Sequence, residues 1–62
     1  MNYTVKIAKT DSVTPVIYTG AKYIWWQRDV LAIEFGESGI DRKYTYVPRE
    51  RIDHVHIIEE NE

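Results

Sequence analysis

The chain has 62 residues, 44% hydrophobic and 13% aromatic, with no cysteine; at that size it is one domain hiding only about 60% of its unfolded surface, with room for a single core. The absence of cysteine excludes a disulfide framework and the four-ligand Cys/His pattern of a structural zinc site, so packing of large aromatics must hold the fold, with oligomerisation as the other remedy for a small core. Formal net charge is −2, and because Glu59, Glu60 and Glu62 supply three of ten acidic groups, residues 1–58 carry eight basic and seven acidic side chains, a poor start for broad phosphate binding.

Met1-Asn2-Tyr3-Thr4-Val5-Lys6 has neither a basic start nor a long apolar run, so no signal peptide is expected. The segment with fewest charges, Ser12 to Ile24, is broken by Pro15, Gly20 and Lys22, far short of the roughly 20 apolar residues that span a bilayer. A cytoplasmic protein without membrane association is the default expectation.

Tyr3 to Lys9 alternates large apolar with polar or small residues, which predicts a half-buried strand with Tyr3, Val5 and Ile7 on one face. Thr10-Asp11-Ser12 is a turn cluster, and Pro15 introduces a short strand at Val16-Ile17-Tyr18 that Thr19-Gly20 breaks. Two β-favouring runs, Tyr23 to Gln27 and Val30 to Phe35, then form a hairpin about Arg28-Asp29. Gly36-Glu37-Ser38-Gly39 closes the next hairpin, with Lys43 to Val47 as the return strand. Pro48-Arg49-Glu50-Arg51 fits one helical or 3-10 turn, proline taking the tolerated first position. The final strand is expected from Ile52 to Ile58, and Glu59 to Glu62 as a frayed acidic tail.

No segment carries a 3.6-residue apolar stripe over three turns. Five or six short strands point to an all-β domain over residues 1–58: an antiparallel meander curled into an SH3-like or partly open barrel.

Successive side chains on a strand face opposite ways, so Trp25 and Trp26 cannot both enter one core. A two-residue turn at Arg28-Asp29 pairs Trp26 with Leu31, Trp25 with Ala32, Ile24 with Ile33 and Tyr23 with Glu34. That register buries Trp26 with Leu31, Ile33 and Phe35 and leaves Trp25 exposed, whereas a three-residue loop would shift the register by one and send Tyr23 and Trp25 inward instead. A four-residue loop at Gly36–Gly39 then opposes Phe35 to Ile40 and Leu31 to Tyr44. Tyr44 and Tyr46 become core residues, while Lys43, Thr45 and Val47 join Tyr23 and Trp25 outside.

The expected site is therefore an exposed aromatic face built from Tyr23, Trp25, Lys43 and Thr45, suited to a protein partner or a homodimer. A loop packed over Trp25 within the chain is the ordinary alternative. The same rings beside Lys22, Lys43, Arg42 and Arg28 suggest a second function, a nucleic-acid-binding module with a base-stacking platform. His54 and His56 share one strand face at i and i+2, but two ligands make no metal site; solvent-facing histidines fit better, a hydrogen-bonded, partly buried pair comes next, and tuning of an interface near pH 6.5 stays open to them. Ser12 and Ser38 lie in turn clusters, there is no nucleophile elbow or phosphate loop, and so short a chain struggles to form a pocket of several hundred Å³. The sequence reads as a noncatalytic interaction module without cofactor or metal.

Overall fold

The computed structural model describes residues 2–36 and 42–60. Five strands appear in chain order, β1 (Tyr3–Lys9), β2 (Val16–Gln27), β3 (Val30–Phe35), β4 (Lys43–Pro48) and β5 (Ile52–Glu59), with one 3-10 turn, Arg49–Arg51, before the last. They form one antiparallel sheet in the order β4-β3-β2-β1-β5. The edge strands β4 and β5 are joined by a single 3-10 turn, so the sheet has to curl until its two edges approach. It remains unclosed, a partly open barrel.

β2 makes that curl. Thr19-Gly20 does not end a strand as the glycine suggests. Gly20 takes φ 74° inside a continuous β2, where the ladder to β1 slips between Tyr3 and Val5. A Cβ at Gly20 would meet nothing within 4 Å, so glycine serves the backbone angle rather than space. A second slip against β3, between Ala21 and Tyr23, lets one long strand serve both halves of the barrel.

The core contains Val5, Ile7, Ala21, Leu31, Ile33 and Val47, with Tyr3, Tyr18, Ile24, Phe35, Ile52 and Val55 packed against it. The predicted inner face of β1 stands. The 3-10 turn is pinned from two sides: Thr10 N–H donates to the Arg51 carbonyl at 3.1 Å, and Arg49 N–H donates to the Asp29 carbonyl at 2.7 Å. Pro48 ends β4 (φ −62°, ψ 138°) and caps the turn instead of opening it.

The tail expected to fray from Glu59 is held through its first two residues. Glu59 pairs with Tyr3 at the end of β5. Glu60 N–H donates to the Asn2 carbonyl, and its Oε2 accepts from the Thr4 hydroxyl at 2.8 Å and from Gly20 N–H at 2.9 Å. The two bonds favour the ionised form, Gly20 first and Thr4 second, and hold this carboxyl below its ordinary pKa. Asn61 and Glu62 lie outside the described residues. Among the described residues, no helix is long and apolar enough to cross a membrane.

Candidate functional site: an aromatic sheet face

The β2–β3 register is the one expected from a two-residue turn: Trp26 opposes Leu31, Trp25 opposes Ala32, Ile24 opposes Ile33 and Tyr23 opposes Glu34. Arg28 supplies the positive φ, 56°, that such a turn ordinarily draws from glycine. The expected burial does not follow. Trp26 is 45% exposed and Trp25 36%, the reverse of the predicted order.

Position explains the reversal. Trp26 does point to the inner side, but it stands beside the turn, at the barrel mouth, where Leu31 opposite takes the interior. The Arg49 guanidinium lies 4.3 Å from the Trp26 ring centroid, held near it by the backbone bond to Asp29 and a 3.7 Å contact with the Asp29 carboxylate. A cation at the rim takes the place of core contacts.

On β4 the faces are inverted from expectation. Phe35 pairs with Lys43 and Leu31 with Val47, so the connection is residues 36–42, odd in number rather than even. An odd shift flips every side chain. Lys43 and Thr45 therefore share the inner side with Val47 and leave the Tyr23/Trp25 face, while Tyr44 and Tyr46 join it. The expected Gly36–Gly39 closure and the Phe35–Ile40 pairing involve residues 37–41, outside the described residues.

Two cross-strand rows build the face: Tyr23, Glu34 and Tyr44 in one, Trp25, Ala32 and Tyr46 in the other. Tyr23, Trp25, Tyr44 and Tyr46 are all exposed, whereas Ala32 has no exposure yet stands apart from the core cluster. Ala32 is the floor between two large rings. Tyr44 and Tyr46 lie nearly parallel at 11° with centroids 6.3 Å apart. Glu34 Oε2 lies 3.5 Å from Arg42 Nε, and Arg42 is held charged first by its hydrogen bond to Tyr44 and then by the nearby charges, Glu34 among them. Arg42 is thus engaged by its own face.

An open cavity of about 490 Å³ adjoins this face, lined by Tyr3, Lys22, Tyr23, Ile24 and Ile57; a second of about 420 Å³ lies among Asp29, Val30, Pro48, Arg49 and Glu50. A chain this short does form hollows of that size. His54 and His56 share the outer side of β5, their rings 5.4 Å apart edge to face. Among the described residues no three His, Cys, Asp or Glu side chains converge as metal ligands would. Ser12 keeps its local role, its Oγ accepting from Thr14 N–H at 3.2 Å.

Sequence reasoning placed Tyr23, Trp25, Ala32 and Glu34 on one face and missed Tyr44 and Tyr46; it also placed Ala21 there, which the register shift between Ala21 and Tyr23 turns into the core instead. Parity of the β3–β4 connection decides the tyrosines: Leu31 meets Val47 where Tyr44 was expected. Comparison with known proteins finds no matching family model, no matching curated relative and no matching solved structure.

Proposed function

We propose that this chain is a noncatalytic, cytoplasmic protein-interaction module that binds a protein partner through Tyr23, Trp25, Tyr44 and Tyr46. Its strand order, with a 3-10 turn before the last strand, suits an SH3-like barrel. The observation that carries the reading is the chemistry of the face: four exposed aromatic rings around a buried Ala32, with Glu34 and Arg42 paired to each other. Tyr and Trp are the residues that concentrate in interface centres, and a charge-balanced rim fits a protein surface better than a phosphate backbone. The nucleic-acid alternative loses support because Lys43 lies on the other side and Arg42 is engaged by Glu34.

The test is affinity capture with the chain as bait, beside the Trp25→Ala and Tyr46→Ala variants, and a titration of labelled single-stranded RNA and DNA at two salt concentrations. Capture of a discrete protein that both substitutions abolish, with the variants still folded by circular dichroism, supports the reading. Nucleic-acid binding whose log–log salt slope steepens by about 0.7 per phosphate contact, the single-strand value, and that is lost in Trp25→Ala overturns it.

A further inference from the structure

The two edges of the sheet differ. β4 is bounded by Lys43 and Pro48, both devices that blunt an edge against pairing. β5 has eight residues with no Lys, Arg or Pro, and it exposes Ile57 at 49% and Ile58 at 53%. Adjacent strand residues face opposite ways, so this edge shows isoleucine on both sides of the sheet.

Its free hydrogen-bonding groups can be assigned. Antiparallel partners alternate between pairs that exchange both backbone bonds and pairs that exchange none. Glu60 N–H donates to the Asn2 carbonyl, and the ladder continues through Glu59–Tyr3, Ile58–Thr4, Ile57–Val5, His56–Lys6 and Val55–Ile7. Ile58 and His56 therefore spend their backbone groups on β1. Those of Val55, Ile57 and Glu59 point outward, with no strand beside them among the described residues.

A second copy of this chain meets the edge under tight rules. A two-fold axis through the sheet keeps every side chain on its own face, so one residue must sit opposite its own copy. The ladder to β1 steps from Ala8–His54 to Lys9–Ile52 and leaves Asp53 at a bulge, so the regular edge runs from His54 upward. Centring on His56 sets that imidazole against its own copy and brings the bulged Asp53 near Glu59 twice, like charges that repel. Centring on Val55 sets His54 against His56 twice, gathering four imidazoles, and leaves Ile57 beside Asp53. Centring on Ile57 puts Ile57 against itself, His56 against Ile58, Val55 against Glu59 and His54 against Glu60. This last register covers both exposed isoleucines and opposes the one basic-capable group at its ends to a carboxylate.

We propose that β5 is a self-association edge: two copies of the chain pair their β5 strands antiparallel about Ile57, extending two sheets into one. Of the aromatic face, Tyr23 lines the same cavity as Ile57, whereas Trp25 and Tyr46 do not, so Trp25→Ala separates the dimer from the proposed function.

Light scattering after size exclusion, across a concentration series in buffer with EDTA, is expected to show a concentration-dependent dimer. Trp25→Ala should keep it, and Ile57→Lys should weaken it at least tenfold while remaining folded by circular dichroism. The chain has no cysteine, so Ile57→Cys, His56→Cys and Val55→Cys each introduce a single thiol. Under diamide, Ile57→Cys should cross-link fastest, since opposed Cα atoms about 5.5 Å apart suit a disulfide. A monomer at every concentration, a dimer lost in Trp25→Ala or unchanged in Ile57→Lys, or faster cross-linking at position 55 or 56 overturns the proposal. A dimer that forms only with added zinc does so too, because it selects the register of four imidazoles.

Discussion

Trp25 and Trp26 are neighbours in the chain with similar exposure, and they sit in opposite chemistry. Trp25 lies on the outer side of the sheet, opposite Ala32, in a row that Tyr46 completes. Trp26 faces the barrel mouth under the Arg49 guanidinium. Comparable exposure therefore does not mean comparable work: one ring belongs to a surface that faces outward, the other closes the end of the core. Position along the strand sets the difference. A side chain turned inward is buried only if the sheet still curls over it, and next to the Arg28-Asp29 turn it does not.

Ile33→Ala removes a fully buried side chain and is expected to cost about 2–5 kcal/mol, a large share of what a small domain has. Trp26→Ala, half-exposed, should cost about 1–2 kcal/mol, and Trp25→Ala less than that. Urea unfolding of the three variants checks the order. If Trp26→Ala matched Ile33→Ala, the mouth would be part of the core and the contrast between the tryptophans would be lost.

Removing Arg49 should matter through Trp26 and not through Trp25, so a double-mutant cycle of Arg49→Ala with Trp26→Ala is expected to give a coupling of about 0.5–1 kcal/mol. The same cycle with Trp25→Ala should give none beyond error.

The smallest effect lies at the far end of β5, where Glu60 is tied to Gly20 and Thr4. Its folded pKa is depressed, so its contribution is fully present above the unfolded value, about 4.3, and is lost as pH falls through the folded one. Glu60→Gln should lower Tm at pH 7 by a margin that shrinks toward pH 3. A difference constant with pH would mean that the charge contributes nothing.

Much of this molecule was legible in the chain. The alternation of Tyr3, Val5 and Ile7, the pairing of Trp26 with Leu31, and the turn after Pro48 follow from local patterns, because strand period and turn chemistry act over a few residues. The β2–β3 register needed only the parity of a two-residue turn.

Distance along the chain is where local reading stopped. Tyr44 and Tyr46 alternate with Lys43, Thr45 and Val47, and either set fits a core until the parity of the connection is known; pairing against Phe35 and Leu31 settled that in favour of Val47. The Glu60 carboxylate bridging Thr4 and Gly20, and Arg49 over Trp26, join residues far apart in sequence. The amino-acid sequence by itself determined that the protein is all-β, roughly where each strand lies, and that Trp25 and Trp26 face opposite ways. Tertiary structure alone decided which tyrosines accompany Trp25 and how far Trp26 is buried, because both depend on where the sheet curls and ends.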